Sequence, residues 1–545
     1  MWGFNILETL KMYNIIVLIK VGGVMKTKVT FRNKNGVKER EIDYIPIRFI
    51  LAILLIILET VLVIGITILC GIYVPYFYIL MFLTEIFCVL RIINSKENPD
   101  YKIPWLVFVL VVPVAGFMIY FMFYNRMLSK KQIKRNKLIK EQHLQKDDCE
   151  LLTKMKQENV YAYQQAQLLC KMSDTHVYQN TTVQYYDMGE KLFPVLLEDL
   201  KEAETFIFME YFIIEEGHFW NSILDVLKEK AANGVEVRVL YDDIGCMMTL
   251  PGDYYKTLQS YGIKAVSFSR LRGQANNEFN NRSHRKITVI DGKVGYTGGV
   301  NIADEYINEK RLFGQWKDVG IRLEGEAVNQ LTSIFLSDYE LNVKTPVEKF
   351  APYFKNIHSV ANNGCIFPFC DGPEPAFRHR VTQTMIMNML NQAQDYVYMM
   401  SPYLIIDDEM CQAIENAAMR GIDVRIIVPH IPDKKIVFWM TRSYYKRFRE
   451  AGVKMYEYEP GFVHAKVYLS DDQYGIVGTS NLDYRSLVHN FENNVWIYQH
   501  DVLSQIKDDL KNTMGVSIFV DENTVKENFV QKLIRALVRI FAPLF

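Results

Sequence analysis

Two stretches of this chain, HRKITVID (His284 to Asp291) and HAKVYLSD (His464 to Asp471), carry the same residue types at the same spacing, about 180 residues apart. In each, a histidine and a lysine two positions apart lead a β-type run into a turn at an acidic residue, Asp291-Gly292 or Asp471-Asp472. A small-residue segment ending in asparagine follows both, GGVN to Asn301 and GTSN to Asn481. The elements upstream repeat as well. Glu204 to Ile214 reads as a buried strand, Trp220 to Ala232 as a helix and Gly234 to Asp242 as a second strand; Asp395 to Ile406, Glu409 to Arg420 and Gly421 to Pro429 repeat that order. This periodicity marks an internal duplication. The expected fold is α/β, with two similar halves, 161–345 and 346–520, related by a pseudo-twofold axis.

On a β-strand, residues i and i+2 share a face, so His284 is expected to project with Lys286, and His464 with Lys466. Two imidazoles and two ammonium groups converging on one pocket are costly without an anion between them. A phosphodiester suits such a site. The lysines hold its non-bridging oxygens, one histidine attacks phosphorus to form a covalent phospho-enzyme, and the other protonates the leaving alcohol and then activates the incoming one. The residues alone do not say which histidine attacks. Asp291 and Asp471 fall in turns and more naturally fix their hairpins than touch substrate. Orienting carboxylates for the imidazoles are sought downstream, at Asp318 (WKDVGIRLEG) and Glu492 (NFENNV). The amides of Asn301 and Asn481 are candidates to donate to phosphate oxygens, while Gly298 and Gly478 permit close backbone approach. A lone HxK pair is more often the wet face of a hairpin. With only ten histidines in the chain, two matches that also share the hairpin, the turn and the asparagine favour a site. Lysine is not a usual metal ligand and neither HxH nor HExxH occurs, so no metal and no cofactor is expected.

Ahead of the α/β region, Ile47 to Ile93 is almost continuously apolar, interrupted by Arg48, Glu59, Glu85 and Arg91 and by a break around Cys70 to Pro75. At about 1.5 Å of rise per residue the run is too long for one crossing of a hydrocarbon core of about 30 Å. It reads as two spans, near 47–69 and 73–93, and Trp105 to Tyr124 reads as a third with aromatic ends. Basic residues flank the anchor on both sides, from Lys26 to Arg40 and from Arg126 to Lys140. Three full spans would put these clusters on opposite sides of the membrane, against the positive-inside tendency. The denser second cluster sets the orientation, with the catalytic region cytoplasmic, and whether two or three helices span stays open. Residues 1–24 resemble neither a cleavable signal nor a helix, and Met25 is an alternative start. The organisation read from the chain is a basic segment (1–46), a transmembrane anchor (47–124), a basic helical linker (125–160), the two halves and a C-terminal amphipathic helix (525–545). That last helix, with Leu533, Ile534, Leu537, Val538 and Phe541 opposite Lys532, Arg535 and Arg539, suits either an anionic membrane surface or the domain's own core.

Net charge is zero, so no global field attracts nucleic acid. Eight cysteines are scattered without CxxC pairs and read as reduced thiols facing the cytoplasm.

HxKxxxxD followed by GGVN or GTSN, twice, resembles the phospholipase D superfamily, and within it the bacterial cardiolipin synthases. NPDYKIPWLVFVLVVPVAGFMIYFMF resembles that family's anchor, and EYFII, LYDDIG, GQWKDVGIRLEG, SPYLIIDDEM, GFVHAK and GTSNLDYRSLVHNFE resemble its blocks. The resemblance covers nearly everything from about residue 73 to the end. It implies a plasma-membrane enzyme that transfers a phosphatidyl group from one phosphatidylglycerol to another, releasing glycerol and cardiolipin, with lipid partners and no nucleic acid. It gives catalytic roles to His284, Lys286, Asp291, His464, Lys466 and Asp471, and by analogy makes His284 the nucleophile and His464 the acid. A hydrolase or other phosphatidyltransferase, a nuclease and an inactive scaffold are the alternatives. The complete motifs speak against the scaffold, and the membrane spans and neutral charge against the nuclease. Two departures stand out: Gly298-Gly299 where many members have Gly-Ser, and one hydrophobic stretch more than a two-helix anchor.

Overall fold

The computed structural model describes residues 14–16, 27–33, 36–42, 47–69, 74–95, 99–124, 130–269, 281–355, 364–373, 377, 379–522 and 524; the C-terminal amphipathic segment lies outside them. The chain divides into two compact units, one centred on the residues before Met127 and the other on the remainder.

In the first unit, β1 (Asn14–Ile16), β2 (Thr27–Asn33) and β3 (Gly36–Ile42) pair antiparallel. The apolar run then forms α1 (Ile47–Leu69) and α2 (Val74–Ile93), close to the two spans expected. Among the described residues, one helix, Pro75–Ile93, is long and apolar enough to cross a membrane by length and composition, and Ile53–Gly65 is a shorter apolar helix. The third expected span, 105–124, is not one helix. It is divided into α3 (Pro99–Val111) and α4 (Pro113–Tyr124), roughly 20 Å and 18 Å long at the usual rise. Pro113 causes the break: it has no N–H to donate, and its ring disfavours helical backbone in the residue before it. The N–H groups that the break frees at Val114 and Ala115 donate to the two oxygens of Glu59 on α1, each at 2.8 Å. A carboxylate that merely interrupts the apolar run in sequence is thus the cap of α4.

The second unit opens with the basic helix α5 (Lys130–Lys140), whose Arg135 pairs with Glu340 at 2.9 Å. Its first half holds β4 (Thr181–Tyr186), β5 (Phe206–Tyr211), β6 (Glu236–Asp242), β7 (Lys264–Phe268), β8 (Lys286–Ile290), β9 (Val294–Gly298), β10 (Gln315–Lys317) and β11 (Gly320–Gly325). The second half holds β12 (Cys365–Asp371), β13 (Tyr396–Met400), β14 (Leu404–Ile405), β15 (Asp423–Pro429), β16 (Lys454–Tyr458), β17 (Gly461–Val463), β18 (Val467–Ser470), β19 (Tyr474–Gly478), β20 (Leu482–Asp483), β21 (Glu492–Tyr498) and β22 (Ser517–Phe519). The first sheet runs β4-β11-β9-β8-β5-β6-β7 and the second β12-β21-β19-β18-β13-β15-β16-β22. Apart from the added β22, the two orders correspond strand for strand, including the parallel pairs β5-β6-β7 and β13-β15-β16 and the antiparallel remainder. The helix between each first parallel pair, His218–Ala232 or Asp408–Met419, is the one that periodicity predicts. A mixed α/β protein of two sheet-containing halves results.

Alternation along the strands decides which side chains meet. Val467 and Leu469 of β18, Val477 of β19 and Val495 of β21 join Ile287, Val289 and Ile321 of the first half in one apolar core. The intervening Tyr468, Ile476 and Trp496 face a second core, beneath helix Val381–Gln392. Both HxK motifs therefore enter central strands of sheets whose apolar faces share a core.

Candidate active site

The histidines do not lie on strands, as alternation had suggested. Lys286 is the first residue of β8, and His284 precedes it; His464 lies between β17 and β18. What fixes each imidazole is pairing with the other half. Ser283 forms a parallel bridge with Phe491, and β17 runs parallel to β10 with Val463 opposite Lys317. The residue after each bridge is a histidine on one strand and a carboxylate on the other. His284 N–H donates to Phe491 O at 2.9 Å, and His464 N–H to Lys317 O at 2.7 Å. The imidazoles then meet the carboxylates of the opposite halves: His284 Nδ1 lies 3.0 Å from both oxygens of Glu492, and His464 Nδ1 lies 2.6 Å from Asp318 Oδ2. Asp318 and Glu492, the carboxylates singled out downstream of the motifs, thus each pair with the other motif's histidine. A proton on Nδ1 toward the carboxylate makes Nε2 the acceptor nitrogen of each ring, and that of His464 lies 3.2 Å from Lys466 Nζ.

The lysines stand beside their histidines. Lys286 Nζ donates to His284 O at 2.7 Å, and Lys466 Nζ donates to His464 O while lying 2.7 Å from the imidazole Nδ1. All four side chains are buried. Burial is the largest cause of the titration shifts, and at Lys286 and both histidines a neighbouring ammonium group adds to it. Lys286 is brought down to about 7 by burial and then by Lys466. Burial likewise brings Lys466 to about 8. His464 falls to about 3 through burial and Lys466, and His284 falls well below its ordinary value through burial, Lys286 and Lys466. Each lysine thus acts on the other half's histidine. The carboxylates differ. Burial raises Glu492 to about 7, whereas at Asp318 the pull of Lys466 and His464 outweighs burial and holds it below the usual carboxylate range. A monoanionic phosphodiester among these groups would offset the cations and restore proton affinity to the imidazoles.

Other residues singled out in sequence sit elsewhere. Asp291 and Asp471 have left-handed backbone (φ 55° and 54°) at the far ends of β8 and β18, each about five residues or roughly 16 Å along the chain from its own motif's lysine, Lys286 or Lys466. Their carboxylates accept from the start of the neighbouring strand: Asp291 from the N–H groups of Glu204, Thr205 and Phe206, Asp471 from those of Gln394, Asp395 and Tyr396. Asn301 and Asn481 each have a side-chain partner inside the protein. Asn301 accepts from Ile213 N–H and donates to Tyr306 Oη, and Asn481 donates to Asp483. Gly298 (φ 147°) passes so close to Val319 O that a Cβ there would lie 2.4 Å from it. A Cβ on Gly299 would lie 2.0 Å from Asp318 Oδ1, so glycine stands where Asp318 needs room. The equivalent position in the second half holds Thr479, whose hydroxyl donates to Glu492.

Sequence reasoning missed the scaffold behind His284. Asp242, wholly buried, pairs with Arg282 at 2.9 Å and accepts Ser283 N–H at 3.1 Å. Ser283 Oγ donates to Glu210, and Arg285 pairs with Asp338. Asn493 accepts Lys286 N–H and donates to Thr297 across the halves. Two consecutive amides in a core strand, Asn493-Asn494, were the available signal, because buried polar groups of that kind require fixed partners.

A family model described as cardiolipin synthase, PLD-like domain, matches residues 196–339 and 386–514, and one described as phospholipase D-nuclease N-terminal matches 86–123. An uncharacterized protein of Streptococcus mutans serotype c is 43% identical over 84% of this chain and 99% of its own length. A cardiolipin synthase of Alkalihalophilus pseudofirmus is 33% identical over 85% of this chain and 92% of its own. The crystal structure of a phosphatidylserine synthase from Haemophilus influenzae Rd KW20 superposes with a TM-score of 0.55 at 17% identity, covering 71% of this chain and 99% of that one, which shows a shared fold. The chain belongs to the cardiolipin synthase family of phospholipase D-like phosphatidyltransferases.

Proposed function

We propose that this enzyme transfers a phosphatidyl group between two phosphatidylglycerol molecules at a membrane, giving cardiolipin and glycerol through a phosphohistidine. The observation that carries the reading is the reciprocal pairing of His284 with Glu492 and His464 with Asp318 around two buried lysines. Such an exchange suits halves related by a pseudo-twofold axis, which would set the two Nε2 atoms on opposite sides of one phosphorus for in-line displacement.

His284 Nε2 attacks phosphorus and the P–O bond to glycerol breaks, with the alkoxide taking the proton of His464. The free terminal hydroxyl of a second phosphatidylglycerol headgroup then gives its proton to His464 and attacks phosphorus, and the P–N bond breaks to free His284. The surroundings of the two histidines fit this assignment. Asp318, held below the usual carboxylate range and 2.6 Å from His464, is placed to stabilise an imidazolium at the acid, while burial and the two lysines keep His284 neutral and nucleophilic. Lys286 and Lys466 hold the non-bridging oxygens. Asp291 and Asp471 keep each motif's hairpin against the neighbouring strand. The anchor is multi-pass, with the catalytic halves on the cytoplasmic side.

Incubating the purified full chain in detergent with phosphatidylglycerol alone tests the reading. Cardiolipin and glycerol in equal amounts are expected, and phosphatidic acid as the sole product overturns it. His284→Ala and His464→Ala should each abolish formation of cardiolipin.

A further inference from the structure

The ring of His464 is the inner end of a chain of aromatic contacts that leads outward. Trp316 and Phe462 lie 5.6 Å and 6.0 Å from the imidazole, and both are buried. Phe462 in turn touches Phe313 at 6.1 Å and Tyr403 at 6.5 Å, and these two are only half-buried. Beyond them stand apolar and cationic side chains, with Asp433 pairing Lys434 at 3.8 Å among them. Next to Phe313 stand Arg311 and Leu312, both exposed. Tyr403 donates to Asp433 at 2.6 Å, and Lys434 Nζ lies 5.6 Å from its ring. The helix that follows, Lys435–Ser443, is held to the same segment by Thr441, which accepts Leu404 N–H. Its positions 435, 436 and 439 fall on one outer face. They are Lys435, Ile436 and Trp439, with Ile436 47% and Trp439 49% exposed. Half-exposed tryptophan and isoleucine beside paired lysines are unfavourable toward water. They match the interface of an anionic bilayer, where the apolar side chains leave water and the ammonium groups meet lipid phosphates.

We propose that the outer face of helix Lys435–Ser443, together with Leu312 and the adjoining Arg311, docks on the surface of an anionic lipid bilayer. The aromatic chain through Tyr403, Phe313, Phe462 and Trp316 then lines the way by which a lipid headgroup reaches His464 without crossing bulk water. The inference deepens the phosphatidyl-transfer reading and rests on it for the identity of the lipid; docking itself is read separately.

The test uses the full chain reconstituted in phosphatidylglycerol bilayers whose acyl chains carry bromine near the headgroup. Tryptophan fluorescence is expected to be quenched, with the Trp439→Phe variant losing that increment; an unchanged increment overturns the docking. A second arm compares Ile436→Ser/Trp439→Ser with the parent on bilayer phosphatidylglycerol and on short-chain phosphatidylglycerol below its micelle concentration. A loss of about tenfold or more on bilayers, with dispersed substrate turned over within about twofold, is expected. Equal losses on both substrates, or none on either, overturn the proposal. Lys434→Gln/Lys435→Gln should reduce the quenching in anionic bilayers and leave it unchanged in zwitterionic ones, and no reduction overturns the cationic half of the surface. If the protein forms no cardiolipin at all, the quenching arm still reads docking, so failure of the reaction and failure of the surface are distinguishable.

Discussion

Asp318→Asn separates charge from geometry at the proposed acid. Asparagine keeps an oxygen acceptor for His464 Nδ1, now 2.6 Å from Asp318 Oδ2, and deletes the negative charge. Two unit charges centred about 4 Å apart at an effective dielectric near 20 interact by about 4 kcal/mol, or about three decades in rate for a step that needs the imidazolium. The variant is therefore expected to form cardiolipin from phosphatidylglycerol about a thousandfold more slowly with KM little changed. Initial rates in mixed micelles read this. A phosphatidyl ester of p-nitrophenol supplies the control, because that leaving group departs without a proton. Its first-turnover burst should survive within about tenfold in Asp318→Asn and collapse in the His284→Ala variant, which lacks the proposed nucleophile. Equal loss of the burst and of cardiolipin synthesis would assign Asp318 to the nucleophile's side, and near-normal synthesis would refute the role altogether.

Gly299→Ala puts a methyl 2.0 Å from Asp318 Oδ1, so a loss of activity of at least about a hundredfold is expected with the fold intact by circular dichroism. Asp291→Ala strands the N–H groups of Glu204, Thr205 and Phe206, and urea unfolding should show a cost of about 2–4 kcal/mol, as should Asp471→Ala. Lys286 and Lys466 have folded values near 7 and 8, below the ordinary lysine value, so the unfolded chain binds more protons above those values and stability rises with pH from about 7 toward 10. Inorganic phosphate, which pairs with the protonated lysines, should raise the melting temperature more at pH 6.5 than at pH 9, and scanning calorimetry at the two values checks it.

The repeated pattern made the duplication legible, because strand and helix periods and the recurring HxK turn are local properties of the sequence. The sheet order that follows from it is long-range and was not. The same limit explains the site. Asp318 and Glu492 stand out in the sequence as candidate carboxylates downstream of each motif, yet their exchange between halves depends on Ser283 meeting Phe491 and Val463 meeting Lys317, contacts between segments far apart in sequence. The partners that Asn301 and Asn481 take inside the protein were not legible either, because an amide near a motif gives no sign of which distant groups fold against it. Apolar length and aromatic ends make the third stretch look like one span, and they do not show that Pro113, with the distant Glu59, divides it.

The most direct test of two histidines acting in turn on one phosphorus is the stereochemistry of transfer. Phosphatidylglycerol made chiral at phosphorus with oxygen isotopes, converted by the purified full chain, should yield cardiolipin with retained configuration, the product of two in-line displacements. Inversion would mean a single direct displacement and would contradict the phosphohistidine.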